Sequence, residues 1–435
     1  MGMKLKNNQN GSHILGLLLV VVVIGVIGAV GFRVMNKEKV KNPGKDTKSA
    51  QFSSDAIKRG KYLSKDNCDG QGSKKLGSGP MRPEDISTIL PYGLVAGGHV
   101  TAIDHQYFLG KNQKAAPNTY DVLAPADGTL VTVEVRPKGR PGVYDVRGVI
   151  SYSCTFFSYF DLANSLSDDI AAKLPAGWDT RNNGPLAVDI PVKQGQVIAR
   201  IGGQTLDYAV WDTTKTLDGL LVQEAYSNYE PWKTSTVAPT DYYTDEVTKS
   251  LLPHYVRSVE PRDGKLAYDV DGKAVGGWFK KGTNGYIGAF KEKEFDNMTY
   301  ADGHLALIPD YLDPSNWVFS TGAINHGSQY SIKSPSVAPD KLDQKSGLVK
   351  YELAQYSHND ETGSKWLGAS VPKSITLNTT GSTVATVLVE MTGKRELKVE
   401  VFEGKTASQV SNFSDKAITY TRGDEATTMM GPDQN

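Results

Sequence analysis

The longest apolar stretch lies near the start of the chain. From 14 to 34 no charged residue appears before Arg33, and the run LGLLLVVVVIGVIGAVGF is long enough to cross a hydrocarbon core of about 30 Å at about 1.5 Å per residue. A cleaved signal peptide normally has an apolar region of only roughly 7–15 residues. Ala29-Val30-Gly31 could serve as a small-residue cleavage site, but the length predicts a retained transmembrane helix over 14–34. Beyond it the apolar runs are short and numerous, as in a mainly β protein. The stretch 120–131 reads as strand, turn, strand, with Leu130, Thr132 and Glu134 alternating against Val131, Val133 and Val135. The region 143–157 is dense in β-branched and aromatic residues, another strand signal.

Leu162, Leu166, Ile170 and Leu174 recur every fourth residue, which predicts an amphipathic helix, and a second helix is expected over 242–256. The stretch 265–276 reads as a hairpin turning at Asp271-Gly272. Its DxDG string lacks the later glutamate of a calcium loop, so the turn reading prevails. Strands are expected at 304–309 and 317–322, and again at 348–356, 383–391 and 396–402.

These elements predict a short N-terminal tail (1–13), the membrane helix (14–34), and a flexible linker (35–54) rich in Lys, Asn, Gly and Ser. An antiparallel β domain with peripheral helices then runs over 55–333, opening on a short helix at 56–63. A Pro/Ser/Asp/Lys connector (334–346), a small C-terminal β domain (347–422) and a disordered tail (423–435) complete the expected order.

Lys plus Arg and Asp plus Glu each number 48, so nothing argues for nucleic acid or another polyanion as partner. More basic residues follow the apolar span than precede it, and the positive-inside rule would put the large domain in the cytoplasm. Cys68 and Cys154 are the only cysteines, and a disulfide and two free thiols both remain open.

The segment LPYGLVAGGHVTAIDHQYF places His99, Asp104 and His105 close together after a glycine-rich approach. Their side chains can converge near one strand end. Further along stand APADGTL, YFDL and VKQGQVIARIGGQTLDYAVWD, where a Gly202-Gly203 pair separates two apolar runs. In this order and spacing, over 89–212, the chain resembles the lysostaphin-type zinc endopeptidases, which cut peptidoglycan cross-bridges. The resemblance implies that the last two runs form a core hairpin and that the domain lies outside the cell, against the charge rule.

The chain departs from that family's pattern. Asp104 follows His99 by five positions instead of four, which alters strand parity. A Tyr-x-His-Leu segment becomes Tyr159-Phe160-Asp161-Leu162, and the final His-x-His becomes Thr205-Leu206-Asp207. What survives is a candidate metal set of His99, Asp104, His105 and Asp207, a mixed His/Asp group that could take zinc or another divalent ion. A hydrogen-bonded network anchoring the Gly-rich loop is the competing reading of the same residues. No catalytic residue is assigned, because the imidazoles that would move a proton are replaced. The expectation is a membrane-anchored envelope protein whose degenerate, inactive peptidase-like module binds an envelope component or regulates a partner, with peptidoglycan or an envelope protein as the candidate partners. The alternative is a divergent metal-dependent hydrolase acting on peptidoglycan peptides.

Overall fold

The computed structural model describes residues 68–140, 143–180, 186–227, 230, 232–283, 285–287, 300–368 and 370–422. The expected membrane span, the linker, the helix at 56–63 and the tail at 423–435 lie outside them. Among the described residues no helix is long and apolar enough to cross a membrane.

The protein is mainly β, as its apolar patterning predicts, and its sheets are antiparallel. The first is built from β1 (Ile86–Leu90), β2 (Gln106–Gly110), β4 (Gly128–Arg140), β5 (Val143–Ser153), β6 (Phe156–Ala163), β8 (Leu186–Val192) and β10 (Leu206–Asp212). Their spatial order is β1-β2-β10-β6-β5-β4-β8, with β11 (Thr236–Val237) pairing on β10. A second sheet joins β3 (Tyr120–Leu123), β9 (Val197–Ile201) and β7 (Ser165–Leu166) in the order β3-β9-β7. Leu130, Val133, Phe160, Ile198 and Tyr208 meet in the core between these two sheets.

Three sequence expectations for this part are corrected. The two runs of 192–212 do not form a hairpin: β9 pairs with β3 and β7, and β10 with β2 and β6. The glycine pair carries the chain from one sheet to the other. A Cβ on Gly202 would lie 2.0 Å from the Ala116 carbonyl oxygen, and Gly203 adopts φ 69°. The Leu162–Leu174 spacing is not one helix either. Leu162 lies within β6 at φ 66°, Leu166 lies in β7, and only α1 (Asp168–Ala171) is helical. Leu166, Ile170 and Leu174 still face one core, so the fourfold recurrence reports burial and not helix. Thirdly, a bulge between Leu130 and Thr132 interrupts the alternation in β4. Leu130, Val133 and Val135 therefore share a core, while Val131 packs in another.

Two further helices are α2 (Gln223–Ser227) and α3 (Asp245–Leu251). The latter falls within the predicted 242–256 helix, with the Thr244 hydroxyl accepting from the Val247 amide at its N-terminus. The expected hairpin at 265–276 reduces to its turn, in which Gly272 adopts φ 74° and the Lys273 amide donates to Val270. The flanking chain is held instead by Asp269, which accepts from Tyr226, the Leu221 amide and the Gly277 amide.

From 276 onward β12 (Gly276–Lys280), β13 (His304–Pro309), β14 (Trp317–Thr321), β15 (Ser328–Lys333), β16 (Val349–Asp360), β17 (Ile375–Gly393), β18 (Glu396–Glu403) and β19 (Ile418–Thr421) close into a barrel. The strands at 304–309 and 317–321 thus belong with those after 347, and the segment 334–346 is part of the connection between the barrel strands β15 and β16. The polar composition of that segment marked a loop, not a change of unit. Beyond a bulge at Leu353/Gln355, β16 and β17 continue as an arm in which Gln355–Asp360 pairs with Ile375–Thr380. Ile375 packs with Leu90, Leu94 and Tyr107 of the first unit, so arm and sheet share a core.

Candidate functional site

Asp104 and His105 stand immediately before β2, on the loop that begins with Gly97-Gly98-His99. In the sheet, Asp207 of β10 is opposite Tyr107 of β2 on one side and Asp161 of β6 on the other. Cross-strand neighbours point to the same face. Tyr107, Asp207 and Asp161 therefore line up across three strands, and His105 joins them because it precedes Tyr107 by two.

Three of the four candidate ligands come together. The His105 ring has Nδ1 3.2 Å from Asp104 Oδ1 and Nε2 3.3 Å from Asp207 Oδ2, with the Tyr107 hydroxyl 3.0 Å from Nε2. His99 lies edge-on to that ring at 6.1 Å between centroids. Asp104, His105 and Asp207 are all buried, His105 being 9 % exposed and Asp207 8 %. Among the described residues no group of three or more His, Cys, Asp or Glu side chains is arranged to hold a metal ion.

Positive charge is supplied by the protein itself. Lys233, 2 % exposed, donates to the Ala102 carbonyl at 3.1 Å and places its ammonium 3.9 Å from Asp104 Oδ1 and 3.9 Å from Glu230 Oε2. Asp161 is clamped by two guanidiniums. Arg147 donates Nε at 2.9 Å and Nη2 at 2.7 Å, Arg136 donates Nη2 to the other oxygen, and that oxygen also accepts from the Leu162 amide at 2.7 Å. Glu134 lies beyond, 3.7 Å from Arg136 and 4.0 Å from Arg147. Tyr159, Trp211 and Trp232 stack at 5.0 and 5.4 Å, and the Arg147 guanidinium sits over Tyr159 and Trp232.

The electrostatics follow from this packing. Burial drives the His99 imidazolium down to about 3, with the neighbouring His105 and Lys233 charges adding to the effect. Burial also opposes ionisation of Asp104, but the Lys233 ammonium and the His105 hydrogen bond outweigh it and hold the carboxylate ionised. Asp207 is raised to about 7 by burial. For His105 burial disfavours the charged ring, yet Asp207 and Asp104 overcome it and the net shift is upward.

Asp207 and His105 both shift up, so the folded pair holds more protons than the unfolded chain. This contribution is complete below the ordinary aspartate value of 3.8 and is lost as pH rises through about 7. The stability advantage of wild type over Asp207→Asn is therefore expected to shrink by roughly 2–4 kcal/mol between pH 4 and pH 8. Urea midpoints of both proteins at the two pH values check this. A gap that stays constant would mean that Asp207 holds no proton.

Sequence reasoning did not single out Arg136, Arg147, Tyr107, Glu230 or Lys233. Glu134 and Arg136 are two apart on one strand face, and Arg147 sits opposite Glu134 in the β4–β5 register. That Glu-x-Arg spacing was a visible signal, but only the register supplies its partner. Lys233 carries no comparable mark, because its burial depends on the chain folding back over Ala102.

The zinc ion implied by the resemblance finds a poor fit. Both His105 nitrogens face oxygen partners, and a divalent ion beside Asp104 would meet the Lys233 ammonium. The chain matches no protein-family model and no curated protein. Among solved structures it is similar to the NMR solution structure of lysostaphin, at 9% identity and a TM-score of 0.24, over 80% of this chain and 92% of that one. At that score the likeness carries no argument about the site.

Proposed function

We propose that this protein is a membrane-tethered component of the cell envelope whose peptidase-like module binds peptidoglycan and does not hydrolyse it. The observation that carries this reading is the ion-pair network at the positions where the resembled family carries its histidines. Asp161 is occupied by Arg136 and Arg147, and Asp207 by His105. Amide hydrolysis needs a group free to activate water and another to protonate the leaving nitrogen. Here Asp161 is taken up by Arg136, Arg147 and the Leu162 amide, and His105 has both ring nitrogens on Asp104, Asp207 and Tyr107, while Asp104 Oδ2 and Asp207 Oδ1 are buried without a hydrogen-bond partner among the described residues.

The Lys233 ammonium supplies charge where a metal would otherwise act, so the cluster serves as an internal strut beneath the β2–β10–β6 face. The disulfide between Cys68 and Cys154 supports an oxidising compartment, consistent with an extracytoplasmic module. The apolar run at 14–34 supports the tether.

Incubation of the full chain in nanodiscs with purified sacculi tests the proposal. The expected result is co-sedimentation above that of an unrelated anchored domain, no loss of sacculus turbidity, and no stoichiometric zinc by mass spectrometry. Turbidity loss abolished by His105→Ala, together with bound zinc, would favour the metal-dependent hydrolase instead. Absence of co-sedimentation would remove the peptidoglycan partner.

A further inference from the structure

A cavity of about 290 Å³ lies between the β16–β17 arm and the β1–β2 edge of the first sheet, away from the ion-pair network. Its size is near the lower end of small-molecule sites, which span roughly 300–1,000 Å³. Leu94 and Leu109 form one wall, and Tyr311, Tyr356 and Trp366 bring aromatic surfaces from the barrel side. Leu367 stands at the lining and is 42 % exposed, one of three large apolar side chains so exposed among the described residues.

The polar groups around this space are unequally committed. Gln329 uses its amide on Gly97 and Ser320. His358 pairs with Asp310 at 2.9 Å, and the same Asp310 oxygen also accepts from the Leu312 and Asp313 amides. On the turn beside the cavity, Asp360 is taken up by Thr362 and Ser364, and Glu361 by the Lys373 amide. Lys365 lines the cavity and makes no ion pair among the described residues. The space thus offers apolar and aromatic walls, one uncommitted cation, and no uncommitted carboxylate.

We propose that this cavity binds a small molecule with a flat apolar body and a single carboxylate, the body between Trp366 and the leucine wall and the carboxylate on Lys365. The assignment is independent of the peptidoglycan reading, since the cavity uses none of the residues of the ion-pair network.

Indole-3-acetate and tryptamine share one bicycle and carry opposite charges, which makes them suitable probes. Equilibrium dialysis against the full chain in nanodiscs, with empty nanodiscs as blank, should give saturable binding of indole-3-acetate. Its affinity should exceed that of tryptamine about two- to fivefold, as one exposed ion pair allows. Lys365→Glu, at an exposed side chain whose backbone bridges Asn359, should reverse the preference. Trp366→Ala should weaken both probes alike. The proposal is overturned if neither probe binds saturably, if Lys365→Glu leaves the preference unchanged, or if Trp366→Ala leaves both affinities intact.

Discussion

Asp161→Ala is expected to lower stability by about 3–5 kcal/mol, the range for breaking a buried pair by removing one partner. The substitution strands two guanidiniums at once, since Arg136 and Arg147 both direct donors at this carboxylate and their side chains are only 15 % and 29 % exposed. Glu134 lies near both at 3.7 and 4.0 Å, too far to take over either set of hydrogen bonds without movement. The Leu162 amide also loses its acceptor at a residue held at φ 66°, a conformation that a branched-chain side chain rarely adopts unaided. For a unit of about 200 residues this corresponds to a drop of roughly 6–20 °C in thermal midpoint. Asp161→Asn retains an acceptor for Leu162 but not the charge, so its loss should be smaller. A midpoint unchanged in the alanine variant would show that the clamp is not a structural element, and would reopen the question of what Asp161 does.

The second large effect is expected at the disulfide. Cys68 and Cys154 are 86 residues apart, and in the chain-entropy view closing such a loop stabilises the folded state by about 4–5 kcal/mol. The bond has local company. The Cys154 amide donates to Gly70 at 3.0 Å, the Gly72 amide to Thr155 at 2.9 Å, and Ser153 to the Gly72 carbonyl. This seam fastens the first described residues to the β5–β6 turn. A Cys68→Ser/Cys154→Ser double variant should lose stability close to that figure in urea denaturation. Reductant should reproduce the loss in the wild type and change nothing in the variant. Equal midpoints for oxidised and reduced wild type would contradict the assignment.

These predictions rest on contacts that the sequence displayed unevenly. The strand content was legible because alternation and β-branched density report which residues face a core. Thus β5, β16, β17 and β18 fall near their predicted places, as does α3 behind Thr244. The gathering of Asp104, His105 and Asp207 was also anticipated, from adjacency in one segment and from the resemblance in the other. Pairing was not legible. The runs on either side of Gly202 have hairpin spacing, yet each found its partners in a different sheet. The assignment of 304–309 and 317–321 to the first unit failed for the same reason, since nothing local announces which strand closes a barrel. Even face parity was lost in β4, where one bulged residue reverses every later position.

The amino-acid sequence by itself determined which segments are extended, where turns such as Asp271-Gly272 must fall, and which titratable residues were available to a site. These depend on dihedral preference and on periodicity, which act over a few residues. The tertiary structure decided that Asp161 belongs to Arg136 and Arg147, that Lys233 lies under the His105 loop, and that an arm of the barrel encloses a cavity against the first sheet. Those outcomes depend on strand register and on burial by distant segments, and a buried charge takes its role from the counter-charge that folding places beside it.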